Sequence, residues 1–203
     1  MFITFEGIDG SGKSTQAKIF AQALNTIGKP CIWTREPGGS AGAEVIRKLL
    51  VEGDPDRWSA ETEILLFNAA RRDHLEKTIE PAIARGDIVV CDRYVDSTRI
   101  YQGVARADLR DTVDIIHKTV IGREADITFI IDVDPKTALS RGLARNTGED
   151  RFEDMGLEFQ LALRKGFLEL ADENPNRCII IDGSKDIETV AQLIMAAYKT
   201  AAP

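Results

Sequence analysis

Residues 2–14, FITFEGIDGSGKS, decide the fold of this chain. The first five have the apolar, β-branched and aromatic character of a buried strand. They run into GIDGSGKS at 7–14, which fits the pattern G-x-x-x-x-G-K-[S/T], and an amphipathic stretch of helical period begins at Lys13. A strand, a glycine-rich loop and a helix in this order form a P-loop, whose backbone N–H groups surround a phosphate at the N-terminus of the helix.

The loop also supplies the side chains that polyphosphate chemistry needs. Lys13 can reach the β- and γ-oxygens of a nucleoside triphosphate, and the Ser14 hydroxyl can ligate Mg²⁺. A chance match by a glycine-rich turn is the alternative, but the strand and helix on either side disfavour it. A GTPase is the rival class. It requires an Asn-Lys-x-Asp motif late in the chain, and the sequence contains none.

The size, charge and cysteine content of the chain further limit the classes of protein to which it can belong. The chain has 203 residues, 43% of them hydrophobic, and no linker-like stretch or repeat, which favours one domain with a full core. A net charge of −7 argues against a nucleic-acid or anionic-membrane surface. No apolar run is long enough to cross a bilayer and the N-terminus lacks a basic leader, so we expect a cytoplasmic protein. Three cysteines without metal spacing predict reduced, buried thiols: Cys31, Cys91 and Cys178.

Apolar strand-like runs alternate with stretches of helical period along the whole chain. Such alternation predicts an α/β fold, a five-stranded parallel sheet with helices on both faces. Ligands of these sheets bind beyond the carboxyl ends of the strands, and four of the predicted strands end in Glu6, Arg35, Asp92 and Asp132. Pro81 should kink the third helix or end it early. Strands are predicted at 2–6, 31–35, 88–92, 127–132 and 178–182, and helices near 13–26, 42–51, 60–84, 108–121, 135–145, 155–173 and 186–199.

Two of these strand ends and one helix carry further motifs. Residues 35–39 read REPGG, a tight turn that begins with an arginine suited to bidentate contact with a phosphate. The alternative for Arg35 is a surface ion pair with its neighbour Glu36. Phe67 and Arg71 lie one helical turn apart and so share a face, although Phe67 taken alone is more often a core residue. Residues 92–94 read DRY.

In their order and spacing these motifs resemble the bacterial thymidylate kinases. The resemblance extends from residue 2 to about residue 198, and it implies a P-loop kinase with a mobile lid. It also implies one nucleoside monophosphate kinase domain over residues 1–203, with the lid at about 141–153. The reaction implied is ATP + dTMP giving ADP + dTDP with Mg²⁺, in dTTP synthesis, by a homodimer.

The resemblance assigns roles to individual residues. It implies that Phe67 stacks on thymine, that Arg71 reaches the thymine O4, and that Asp9 accepts a hydrogen bond from the 3′-hydroxyl of the acceptor. Tyr101 is similar to the aromatic residue that fills the space of a ribose 2′-hydroxyl. The residues expected to bind the acceptor are Asp9, Arg35, Phe67, Arg71, Arg93, Ser97, Thr98, Tyr101 and Gln102. Those expected to bind ATP are Gly7, Ile8, Asp9, Gly10, Ser11, Gly12, Lys13, Ser14, Thr15 and Arg141.

The same resemblance also implies which residues bind the metal and which take part in catalysis. Asp92 ends a buried strand of the kind that supplies the second acid near Mg²⁺ in P-loop enzymes, so Ser14 and Asp92 are the expected metal residues; a buried structural aspartate is the alternative. The residue after Asp9 is a glycine, which resembles the type of thymidylate kinase that takes its catalytic arginine from the lid. The expected catalytic residues are Lys13, Asp9, Arg93, Arg151 and Arg145.

Two other functions are compatible with the motifs. One is a small P-loop kinase for another nucleotide or for a nucleoside. The other is a nucleotide-binding regulatory protein without turnover, against which the intact Lys13, Ser14 and Asp92 speak. The pattern of residues does not choose among acceptors without the resemblance.

Overall fold

One parallel sheet organises the protein, and the computed structural model describes it within residues 1–54, 57–106, 108–143 and 156–201. The strands lie in the order β2-β3-β1-β4-β5. The prediction of five parallel strands is therefore confirmed. The strands are β1 Phe2–Glu6, β2 Cys31–Arg35, β3 Ile88–Asp92, β4 Ile127–Asp132 and β5 Cys178–Asp182.

Helices connect the strands, as the helical periods predicted. Three of them, α3, α5 and α6, continue directly into single π-helical segments at Leu75–Ile79, Tyr101–Arg106 and His117–Ile121. The α-helices are α1 Lys13–Thr26, α2 Ala41–Val51, α3 Ala60–His74, α4 Glu80–Ala84, α5 Val95–Ile100, α6 Arg110–Ile116, α7 Pro135–Leu143, α8 Gly156–Glu173 and α9 Ile187–Ala201.

Each face of the sheet contributes side chains to a separate apolar cluster, because alternate residues of a strand point in opposite directions. Ile3 and Phe5 belong to the larger cluster, in which Phe5 packs against Phe20 of α1 at 5.7 Å and against Phe129 of β4 at 5.4 Å between ring centroids. Phe2, which points to the opposite face, belongs to the second cluster with residues of α3 and β3. Helices therefore cover both faces, and β1 is buried along its whole length.

The third helix does not end early at Pro81, but its hydrogen-bonding pattern changes in the turn before the proline. Proline has no N–H to donate and crowds the preceding turn. The helix widens into the π-helical segment at 75–79, and α4 then carries Pro81 in its first turn and ends at Ala84.

The three cysteines agree only in part with the prediction of reduced, buried thiols. All three thiols are free; Cys91 and Cys178 are buried, but Cys31 is only partly buried, so the prediction for it is wrong in part. Burial nevertheless raises the pKa of the Cys31 thiol to about 11.

Within the described ranges, no helix is both long and apolar enough to cross a membrane. Arg145, Arg151 and most of the predicted lid lie outside the described residues.

Candidate active site

A cavity of about 300 Å³ opens at the carboxyl edge of the sheet, beside the ends of β1, β2 and β3. The P-loop forms one wall through Asp9, Gly10, Lys13 and Ser14. The structure brings all nine predicted acceptor residues to the same cavity, although they come from five separate segments. They are Asp9, Arg35, Phe67, Arg71, Arg93, Ser97, Thr98, Tyr101 and Gln102.

The P-loop has the backbone that its glycines predicted. Gly10 and Gly12 adopt φ values of 81° and 91°, in the left-handed region where a side chain is strained. Lys13 is buried, and its Nζ donates to the carbonyl oxygen of Ile8 at 3.1 Å. Burial lowers the pKa of Lys13 to about 8, helped by the charge of Arg93. The Lys13 ammonium also lies 3.6 Å from a carboxylate oxygen of Asp9, and a phosphate bound to the loop would add further negative charge beside it.

Asp9 is the centre of a charged cluster between the loop and helix α5. Arg93 donates to its carboxylate, and the Tyr101 hydroxyl donates to the other oxygen at 2.7 Å. Burial alone would favour the neutral acid, but the positive charges of Arg93 and Lys13 outweigh it and lower the pKa of Asp9 to about 2. Asp9 is therefore a carboxylate at neutral pH.

Ser97 connects this cluster to a buried acid that the sequence did not single out as a site residue. Its hydroxyl accepts from Arg93 Nη1 at 3.0 Å and donates to Glu6 at 2.6 Å. The other Glu6 oxygen accepts from the backbone N–H of Tyr94 at 2.7 Å. Burial, with the charge of Asp96, raises the pKa of Glu6 to about 8. A glutamate that ends a fully buried strand was the available signal.

Arg93 itself is held in an unusual backbone conformation. Its φ of 67° makes it the single non-glycine residue with positive φ in the described ranges. Its N–H continues the sheet by donating to Phe5 at 2.9 Å, and its guanidinium reaches Asp9, Ser97 and the Tyr101 hydroxyl. Strained backbone of this kind is common at sites where one side chain must be held in a fixed place.

The far end of the cavity is built around Arg71, whose side chain is 1% exposed. Its Nε donates to Glu36 at 2.7 Å and its Nη2 to Thr98 at 3.0 Å. The alternative pairing of Arg35 with Glu36 is therefore wrong: Arg35 lies 3.4 Å from Glu44 instead. Phe67, one turn before Arg71, lines the cavity, as does Gln102, whose amide donates to Glu63 at 3.0 Å.

Two oxygen groups in the cavity are suited to a hard cation. Asp92 is buried, and its Oδ1 has no hydrogen-bond partner in the part of the chain that the structure describes. The Ser14 hydroxyl lies in the same cavity. Oxygen ligands of this kind, completed by phosphate and water, are what Mg²⁺ requires. Asp132, the other carboxylate at a strand end, is instead bound by both Nε and Nη2 of Arg164, at 2.7 and 2.8 Å.

Three cationic or aromatic residues of the cavity wall were not predicted. Lys18 lies one turn after Ser14 on α1, and its Nζ stands 4.8 Å from the centre of the Trp33 ring. Arg47 of α2 donates to the carbonyl oxygen of Pro37 at 2.6 Å. For Lys18 the signal in the sequence was its i, i+4 spacing from Ser14. Nothing in the sequence indicated that Trp33 and Arg47 line the cavity. Arg141, predicted to bind ATP, donates to the carbonyl oxygen of Gly183 at 3.3 Å.

A P-loop at the carboxyl edge of a parallel sheet, joined in one cavity to a second cationic pocket, defines the class of the P-loop nucleotide kinases. Comparisons with known proteins give the family within that class. A family model described as thymidylate kinase matches residues 5–194, so the chain belongs to the thymidylate kinase family.

Individual relatives agree with this assignment. A thymidylate kinase of Dinoroseobacter shibae is 62% identical, over 98% of this chain and 97% of that protein. One of Ruegeria pomeroyi is 61% identical, over 94% and 90%. The crystal structure of thymidylate kinase from Ehrlichia chaffeensis superposes with a TM-score of 0.80 at 37% identity, over 98% of both chains.

Proposed function

We propose that this protein transfers the γ-phosphoryl group of ATP to dTMP, giving ADP and dTDP in the synthesis of dTTP. One observation carries the proposal: a single cavity joins the P-loop to a pocket that offers an aromatic face, Phe67, and a buried arginine, Arg71. The loop suits the phosphates of the donor and the pocket suits a nucleotide base. Family membership supports the choice of thymine. The proposal treats residues 1–203 as one nucleoside monophosphate kinase domain.

The chain's own groups act mainly by positioning and by charge neutralisation. Lys13, Arg35 and Arg93 bring positive charge to the cavity wall between the loop and the acceptor pocket. Asp9, which is fixed as a carboxylate by its neighbours, can accept from a sugar hydroxyl if the Tyr101 hydroxyl yields or shares its position. No covalent enzyme intermediate is needed.

Ser14 and Asp92 are the residues that we propose to hold Mg²⁺, because Asp92 presents a buried, unpartnered oxygen in the described part of the cavity. When bound, the ion supplies charge that neutralises the β- and γ-phosphates. Asp92→Asn keeps the shape of the side chain and removes its charge. It should raise the Mg²⁺ concentration needed for half-maximal activity; an unchanged Mg²⁺ dependence would remove Asp92 from this role.

Acceptor identity is tested by measuring ADP release with dTMP, dUMP, dCMP, dGMP, AMP and thymidine. We expect the highest kcat/KM for dTMP. A comparable value for dCMP or AMP would favour the second candidate, a small P-loop kinase for another nucleotide, and the highest value for thymidine would favour a nucleoside kinase. ATP binding without turnover of any acceptor would favour a regulatory protein.

A homodimer is the assembly we propose, because α3, α6 and the π-helical segment after α6 each expose a large apolar side chain. Leu65, Ile115 and Val120 are 60%, 65% and 43% exposed, and Arg72 joins α3 to this π-helical segment by donating to the carbonyl oxygen of Val120 at 2.9 Å. Leu65→Glu should convert the dimer to a monomer in sedimentation equilibrium. A wild-type monomer at micromolar concentration would contradict the proposal.

We also propose a cytoplasmic location, in keeping with three free thiols.

A further inference from the structure

A chain of buried polar groups runs from the REPGG segment at 35–39 into helix α3. Glu36, His74 and Thr34 are 5%, 0% and 5% exposed, and they stand in line behind Arg71. Glu36 accepts from Arg71 Nε through one oxygen, and its other oxygen lies 3.0 Å from His74 Nδ1. His74 Nε2 lies 2.7 Å from the Thr34 hydroxyl. Each link is within hydrogen-bond distance.

The chemistry of the groups gives the bonds to Glu36 a direction. An ionised carboxylate only accepts, so His74 Nδ1 carries a proton and donates to Glu36; Nε2 accepts from the Thr34 hydroxyl if the ring is neutral and donates to it if the ring is charged. Both oxygens of Glu36 are therefore used, one by the arginine and one by the histidine. A carboxylate held at both oxygens cannot rotate freely. It therefore also restricts the orientation of the Arg71 guanidinium that it binds.

The second glycine of the REPGG segment makes this arrangement possible. Gly39 has a φ of 84°, and a Cβ at this position would lie 2.3 Å from His74 Nε2 and 2.5 Å from the Thr34 hydroxyl oxygen. The turn thus rests directly on the His74–Thr34 pair. Thr78 fixes it there by donating to the Gly39 carbonyl oxygen at 2.7 Å. The segment that begins as a phosphate-binding turn also forms the brace behind Arg71.

Arg71 keeps one donor group unused. Its Nε and Nη2 are occupied by Glu36 and Thr98, whereas Nη1 is buried without a partner in the described ranges. Because the guanidinium is planar, fixing two of its nitrogens also fixes the direction of the third. Arg71 is part of the cavity wall, so Nη1, although covered in this structure, is the nitrogen left for a ligand in the acceptor pocket.

We propose that Glu36, braced by His74, is a specificity-determining positioning residue: it aims the free donor of Arg71 so that the pocket selects a base with a carbonyl oxygen at that point and rejects one with an amino group. The proposal rests on the proposed function, because it concerns the acceptor of that reaction. Two donors facing each other in a buried site leave both unpaired, and this is the kind of mismatch that gives strong discrimination.

Glu36→Gln tests the inference through ratios of kcat/KM. The amide oxygen can still accept from Arg71, but it carries no charge, and the amide NH2 can keep His74 only if the ring proton moves from Nδ1 to Nε2. We expect the ratio for dTMP over dCMP to fall by about tenfold or more. The ratio for dTMP over dUMP should not change, because both bases carry the same carbonyl. Such ratios are independent of the fraction of enzyme that is folded.

Two further variants complete the design. Glu76→Gln makes the same chemical change at the exposed partner of Arg72, on the π-helical segment that continues α3, and should leave both ratios unchanged. His74→Phe keeps a ring but removes both nitrogens, so it should lower the dTMP-to-dCMP ratio by a smaller factor. It also provides the test if Glu36→Gln does not fold. A wild-type enzyme that prefers dTMP, with ratios unaltered by both changes, overturns the inference alone; a wild type that does not use dTMP overturns the proposed function.

Discussion

The Tyr101 hydroxyl donates a 2.7 Å hydrogen bond to Asp9, which ties the acceptor side of the cavity to the P-loop. The two residues lie 92 positions apart in the sequence. Arg93 donates to both of them, so an acid from the loop, an arginine from the turn after β3 and the tyrosine that begins the π-helical segment after α5 form one unit. Donor and acceptor sites therefore share a charged centre, and changes at any of the three residues should be felt by the acceptor.

Replacing Tyr101 tests its part in sugar selection. If the ring closes the space beside C2′, Tyr101→Ala should reduce the preference for dTMP over the ribonucleotide TMP by about tenfold. Tyr101→Phe keeps the ring and removes the bond to Asp9, so it should retain the preference while lowering activity. Steady-state kcat/KM with both sugars decides the matter. An equal preference in the wild type and in the alanine variant would show that another residue selects the sugar.

Asp9 should separate acceptor use from ATP binding. Asp9→Asn keeps the size of the side chain but loses the charge that Arg93 and Tyr101 face, so we expect kcat/KM for dTMP to fall by about 10²-fold. The dissociation constant of ATP, measured by isothermal titration calorimetry, should change little. The opposite pattern, weak ATP binding with normal use of dTMP, would make Asp9 a residue of the metal site or of the loop's folding.

Glu6 should make the stability of the protein depend on pH. Its pKa is about 8 in the folded protein, raised mainly by burial from an ordinary value of 4.5. Below pH 4.5 both states are protonated; between pH 4.5 and 8 the unfolded chain releases the proton and the folded protein keeps it. This contribution to the free energy of unfolding is therefore lost as the pH rises through that window.

Urea denaturation of the ligand-free protein at several pH values measures this effect. Glu6→Gln carries no charge at any pH, so the stability difference, wild type minus variant, should decrease steadily from pH 4.5 to pH 8. The exposed Glu76→Gln provides the control and should give a flat difference. Parallel curves for the wild type and Glu6→Gln would contradict the raised pKa.

The architecture was predictable because its signals are local. Continuous apolar runs marked all five strands, and the loop pattern at 7–14 located the phosphate site at the end of β1. The partners of buried charges were not predictable, because they depend on contacts between distant segments. Glu36 is next to Arg35 in sequence, yet it binds Arg71, 35 residues away. Asp96 is likewise buried against two arginines that are distant from each other in sequence, Arg99 and Arg177.

Two glycines of the P-loop offer a matched test of close packing. Gly10 and Gly12 both have positive φ, so alanine at either should cost about 1–2 kcal/mol of backbone strain. A Cβ at Gly10 would also lie 2.0 Å from the carbonyl oxygen of Ala138 in α7, whereas a Cβ at Gly12 meets nothing within 4 Å. Gly10→Ala should therefore lower the urea midpoint clearly more than Gly12→Ala. Equal midpoints would mean that α7 moves away without cost.

The arginine that acts on the transferring phosphoryl group is the remaining catalytic prediction. The P-loop has a glycine after Asp9 and offers no arginine, while Arg145 and Arg151, in the predicted lid, lie outside the described residues. Arg93 is the described arginine beside the loop, but its guanidinium already contacts Asp9, Ser97 and Tyr101. An arginine that arrives only when a lid closes stabilises the transition state more than the ground state.

We therefore predict that Arg151→Ala lowers kcat by about 10³-fold, with little change in the dissociation constant of ATP. Arg151 is favoured over Arg145, because the sequence at 148–151, GEDR, is similar to the family's lid motif, whereas Arg145 is close to the end of the predicted helix before it. Single-turnover measurements of phosphoryl transfer in both alanine variants separate the chemical step from product release. Arg85→Ala, at an exposed pair with Asp87, controls for the loss of one positive charge. Near-normal transfer rates in both lid variants would leave the lid as a cover alone, and Arg93 would become the arginine to test.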